Sequence, residues 1–156
     1  MKKYLHIIIA FVLFTSCKTN DTNSNKLDSD DFERKIDRIE KLSMEIKPFS
    51  EFIDAEFELF NVNGFHNQRT SVPGASSLEY KFVVRIDTIN ISKWTTGMQE
   101  FELRDYDDSW TKEITKHRKQ NWGTYSTPQY FKRHGEDVTM LVFMNEGIIF
   151  KRVKNL

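Results

Sequence analysis

The strongest constraint on the fold lies near the C-terminal end. Residues 138–144 and 148–153 are two β-rich runs separated by Asn145-Glu146-Gly147. Such runs with a short turn-forming gap predict a β-hairpin, committing this part of the chain to antiparallel pairing. Two further strands are predicted upstream. Ile53, Ala55, Phe57 and Leu59 alternate with Asp54, Glu56 and Glu58, and Tyr80, Phe82, Val84 and Ile86 alternate with Lys81, Val83, Arg85 and Asp87. A period of two marks a strand with one face toward a core.

Helical spacing surrounds these runs. Phe32, Ile36, Ile39, Ser43 and Ile46 fall on one stripe of a 3.6-residue repeat, with Asp30 and Glu33 as a capping pair and Pro48 as a stop. Arg34, Lys35, Asp37, Arg38, Lys41 and Glu45 cover the opposite side. Ile91, Trp94, Thr95 and Met98 predict a short helix with Asn90 as its cap and Gly97 near its end. Phe101 and Leu103 suggest a brief strand, and Asp107 or Asp108 caps a helix bearing Trp110, Ile114 and His117. Thr127-Pro128 opens another short helix that Gly135 stops. The order predicts an α+β fold, a small antiparallel or mixed sheet with an N-terminal amphipathic helix. The short helices are expected on one face.

Residues 18–29 are polar and nearly free of apolar side chains, so they read as a flexible tether ahead of a single domain over 30–156. Between the first two strands, residues 63–77 form a long loop rich in Gly, Asn and Ser. Loops that long tend to be either contact surfaces or disordered insertions. Phe65, His66 and Arg69 combine a ring with a donor and a positive charge, which makes them candidate partner contacts. Trp122, in Asn121-Trp122-Gly123-Thr124-Tyr125, is a further contact candidate, with core packing as the competing reading.

Motifs for catalysis and cofactors are sparse. Asp105, Asp107 and Asp108 lack the turn glycine and the distal glutamate of a calcium loop, and helix capping accounts for them. His66, His117 and His134 have no local metal-ligand spacing, and no nucleophile elbow or phosphate-cradling glycine loop is present. No cofactor, metal or catalytic residue is therefore assigned. With 23 basic and 23 acidic side chains, the chain has no basic excess to drive nucleic-acid binding.

The first seventeen residues are of another kind. Lys2 and Lys3 precede an apolar run from Tyr4 to Phe14, followed by Thr15, Ser16 and Cys17, the only cysteine. A run of eleven residues is too short to span a bilayer, which takes about 20, but suits a secretory signal. Phe14-Thr15-Ser16-Cys17 resembles the lipobox of bacterial lipoproteins, with Phe14 where leucine is usual. The resemblance implies cleavage after residue 16, palmitate-type acylation of Cys17 and attachment to the cell-envelope membrane. Lys18 replaces the aspartate that retains enterobacterial lipoproteins at the inner membrane, so the outer membrane is implied. The expected function is a lipid-anchored, non-enzymatic protein that binds an envelope protein or glycan. An inhibitor or immunity-type module, or an enzyme with a dispersed site, are the alternatives.

Overall fold

Two antiparallel meanders, joined edge to edge, make a seven-stranded sheet. In a computed structural model that describes residues 25–65, 77–102 and 107–155, the first meander is β1 (Lys26–Asp28), β2 (Asp54–Asn61) and β3 (Leu78–Arg85). The second is β4 (Gln99–Glu100), β5 (Gln129–Lys132), β6 (Asp137–Phe143) and β7 (Ile148–Asn155). The strand order is β1-β2-β3-β7-β6-β5-β4, and β7 joins the halves by pairing with both β3 and β6. The helices are α1 (Lys35–Glu45), α2 (Ile91–Thr95) and α3 (Ser109–Ile114), with 3-10 turns at Ser29–Asp31, Thr88–Asn90 and Lys116–Trp122. The molecule is α+β with an antiparallel sheet.

Helices cover both faces, not the single face expected. On one face α1 and α2 bury Leu42 and Trp94 against Ala55, Phe57, Phe82 and Met140. On the other, Trp110, Ile114 and Trp122 close over Val83, Leu141, Ile148 and Phe150. Strand alternation sends neighbouring residues to opposite faces, so each well-covered strand feeds two cores. Where α3 does not reach, the second face carries a charged ladder, with Arg152 donating to Glu79 at 2.9 and 2.6 Å.

Three other expectations are corrected. The stretch predicted as a helix after Pro128 is β5, because Phe131 and Tyr130 point to opposite cores and only an extended chain serves both. Residues 26–28, assigned to the tether, are an edge strand on β2, so the fold begins before residue 30. The predicted stripe of α1 holds only in part: Phe32, Ile39 and Ile46 pack against the core, but the fully buried positions are Arg38 and Leu42, and Ile36 is 51% exposed. Its first turn has no side-chain cap, and Arg34 instead pairs with Asp37. Leu103, Asp105, His66 and Arg69 lie outside the described residues, as does Cys17.

The connection between β6 and β7 is pinned from below. Glu146 accepts from the backbone N–H of Tyr125 and Ser126 at 2.7 and 2.8 Å, and from the Ser126 hydroxyl at 2.5 Å. Burial pushes its carboxyl up, but the Ser126 hydroxyl and those N–H groups outweigh it and hold the pKa at about 2. A carboxyl depressed on folding stabilises above its unfolded pKa, and that stability is lost as pH falls from about 4.5 toward 2. In urea titrations across this window, Glu146→Gln should lose less stability on acidification than the parent chain. Parallel slopes would show that this loop does not contribute to the acid limb.

Candidate functional site

Two sets of charged side chains are buried in this fold, Arg38 with Asp54 and Glu56 at one sheet edge and Lys151 in the middle of a strand. The first closes the open edge of β2. Strand β1 pairs only with Glu58–Phe60, so the outward N–H and C=O of Ala55 have no strand beside them. Arg38 Nε donates to the Ala55 carbonyl at 2.9 Å, and the Ala55 N–H donates to Asp54 Oδ1 at 2.9 Å. Arg38 Nη2 reaches the same Asp54 oxygen at 2.9 Å. The ion pair thus stands in for a missing strand and satisfies a buried backbone pair.

Glu56 lies behind this pair, 1% exposed. Its Oε1 is 3.4 Å from Arg38 Nε without hydrogen-bond geometry, whereas Oε2 accepts from Arg118 Nη1 at 2.8 Å. Burial raises its pKa, against the Ser29 hydroxyl, Arg38 and Arg118, while Asp54 adds to the upward push. The helical geometry breaks at Arg118 (φ −131°, ψ 37°), the residue that turns back onto β2. Arg118 also meets Asp30 at 3.2 Å and the Phe32 carbonyl at 3.2 Å, and Asp30 meets His117 at 3.2 Å. The cluster ties α1, β2 and both flanking 3-10 turns together. Its groups face one another rather than a cleft, so its role is architectural.

The second group is a single lysine. Cross-strand register sets Phe57, Phe82, Lys151, Met140 and Phe131 in one row across the face that α1 and α2 cover. Lys151 holds the central place of that row and is 8% exposed. Its ammonium lies 5.6 Å from the Phe49 ring centroid and 5.8 Å from that of Trp94, which are edge-to-face at 5.2 Å. The link from α1 to β2 carries Phe49 over the sheet, and the Ser50 hydroxyl fixes Trp94 by accepting from Nε1 at 3.0 Å. A hollow of about 140 Å³ opens here, with Ile46, Lys47, Tyr80 and Arg133 also on its wall. Burial first, then Arg133, lowers the Lys151 pKa to about 8, with Glu136 opposing. Phe49 itself is 44% exposed.

The residues proposed from sequence as contacts have different fates. Trp122 is 5% exposed in the second core, with the Arg85 guanidinium 5.8 Å from its ring, as the core-packing reading expects. Phe65 is half-buried against Tyr80, on the same face as Lys151. Asp107 accepts from the Ser109 N–H at 2.9 Å, which starts α3. Among the described residues no group of His, Cys, Asp and Glu is arranged to hold a metal ion, and no helix is long and apolar enough to cross a membrane. The Phe49, Trp94 and Lys151 cluster escaped sequence reasoning. Its one signal was a lysine in the apolar alternation Ile149, Lys151, Val153 of β7. No family model, curated protein or solved structure matches the chain.

Proposed function

We propose that this chain is a lipid-anchored envelope protein whose domain binds a protein or glycan partner without chemical turnover. The observation that carries the reading is the placement of the only cysteine directly after Phe14-Thr15-Ser16. Several acyl chains on one cysteine, each CH₂ contributing about 0.8 kcal/mol, hold a protein on a bilayer. From Cys17 to the first strand there are eight intervening residues, a maximum reach of about 26 Å at about 3.3 Å per residue. The domain therefore works close to its membrane. The hollow beside Lys151 and Phe49 is the surface best suited to engage a partner, since it joins exposed aromatic area to a buried cation.

Cys17→Ser should abolish metabolic labelling with a palmitate analogue and move the protein from the membrane pellet to the soluble fraction. Unchanged partitioning of that variant overturns the anchor. Crosslinking in intact cells followed by purification from solubilised envelopes should then recover a partner with the anchored form and less of it with Cys17→Ser.

A further inference from the structure

A lysine in the middle of an apolar row demands a reason. Phe82 and Met140, its neighbours on the two adjacent strands, are almost completely buried, and a methionine at position 151 would satisfy the same packing without desolvating a charge. Lys151 has no carboxylate within ion-pair distance among the described residues. The acid that acts on it, Glu136, is already committed to Arg133 at 3.2 Å. The ammonium lies over two rings, and Lys151 borders a hollow whose volume of about 140 Å³ is close to that which admits a benzene ring.

We propose that this hollow binds a carboxylate carried on a small apolar or aromatic stem, the carboxylate pairing with the Lys151 ammonium and the stem lying against Phe49 and Trp94. The inference rests on reading the domain as a binding module and names the chemistry of its ligand. Three features select that chemistry. Lys151 presents one buried ammonium between aromatic walls, which matches a single negative charge; a phosphate dianion calls for more donors, and of the other cations on the wall Lys47 is exposed and Arg133 is paired with Glu136. A neutral sugar would leave the buried charge uncompensated. A purely apolar group would do the same, and it would not explain why a lysine occupies the row.

The test is calorimetric titration of the full chain, lipid anchor included, in detergent. Benzoate should bind one-to-one with a dissociation constant on the order of 1 mM, and its uncharged isostere benzamide should bind much more weakly. Lys151→Met should keep the fold and its melting temperature while weakening benzoate about tenfold or more. Phe49→Ala, at an exposed ring, should weaken it about threefold. Binding should also fall about tenfold per pH unit above about 8, because only the ammonium form pairs with the anion. The other titratable or charged groups around the hollow are Arg133, Glu136, Lys47 and Tyr80.

A short peptide ending in phenylalanine with a free carboxylate separates the two sources of such a group. Tighter binding of the peptide assigns the ligand to a protein terminus, and tighter binding of benzoate assigns it to a free acid; each supports the site. Equal heats for benzoate and benzamide, no heat for benzoate, or a Lys151→Met chain that binds like the parent overturns it. A null titration beside intact lipid labelling and partner capture removes the carboxylate and leaves the anchored binder standing. Loss of the anchor with a normal titration does the reverse.

Discussion

Arg38→Met should lower the unfolding free energy by about 3–5 kcal/mol, the range for removing one partner of a buried ion pair. The substitution keeps the length of the aliphatic stem, so lost packing contributes little. What remains is Asp54 without its partner, Glu56 with only Arg118, and the Ala55 carbonyl without a donor at the open edge of β2. Arg38→Lys should recover only part of the loss, because an ammonium cannot reproduce the fork that serves the Ala55 carbonyl and Asp54 together. The deficit should also depend on pH. Glu56 is already raised by burial, and without Arg38 it rises further, so the folded state binds a proton more tightly than the unfolded chain. Stability in such a case increases as pH falls, and the variant should regain part of its loss between pH 7 and 5. Urea unfolding at both pH values checks this. A loss below about 1 kcal/mol at pH 7 would show that Arg118 neutralises the carboxylates alone.

Gly147→Ala should cost about 3 kcal/mol and lower the melting temperature by about 10 °C. Gly147 closes the connection between β6 and β7 at φ +64°, a backbone region unfavourable to residues with a Cβ. A methyl group there would also collide with the Ile86 carbonyl oxygen, which is backbone and cannot swing away. The same contact is used productively, since the Ile86 N–H donates to the Gly147 carbonyl at 2.9 Å. Relieving the collision therefore means parting the end of β3 from the loop before β7, in the middle of the sheet. Gly123→Ala is the control. Its φ is −63°, nothing lies within 4 Å of an added Cβ, and its cost should stay within about 0.5 kcal/mol. Equal losses for the two variants would remove the steric argument.

The strands that were legible in the sequence are those with clean alternation or a clear turn: β2, β3 and the β6–β7 hairpin. Short elements with mixed signals were not. Gln129–Lys132 carries rings at adjacent positions, which fits either a helix or a strand open to two cores, and only the second core under Trp110 and Ile114 decides it. The same absent information hid the edge cluster. Asp54 and Glu56 look like a solvated face until Arg118, 62 residues beyond Glu56, folds over them. Arg38 sat on the charged side of a predicted helix, and its burial depends on an unpaired edge that no local pattern reveals. Lys151 was visible as a letter but not as an anomaly, because its meaning comes from Phe82 and Met140 on the neighbouring strands. The proposal for Cys17 rests on residues 2–17 alone and draws nothing from the fold.

The last strand of this chain is also its keystone. Because β7 lies between β3 and β6, the strands on its two sides join into one sheet only when Ile148–Asn155 is in place. A growing polypeptide would hold two incomplete halves apart until that strand is made. Joining of the two halves is thereby deferred until this one strand has been made.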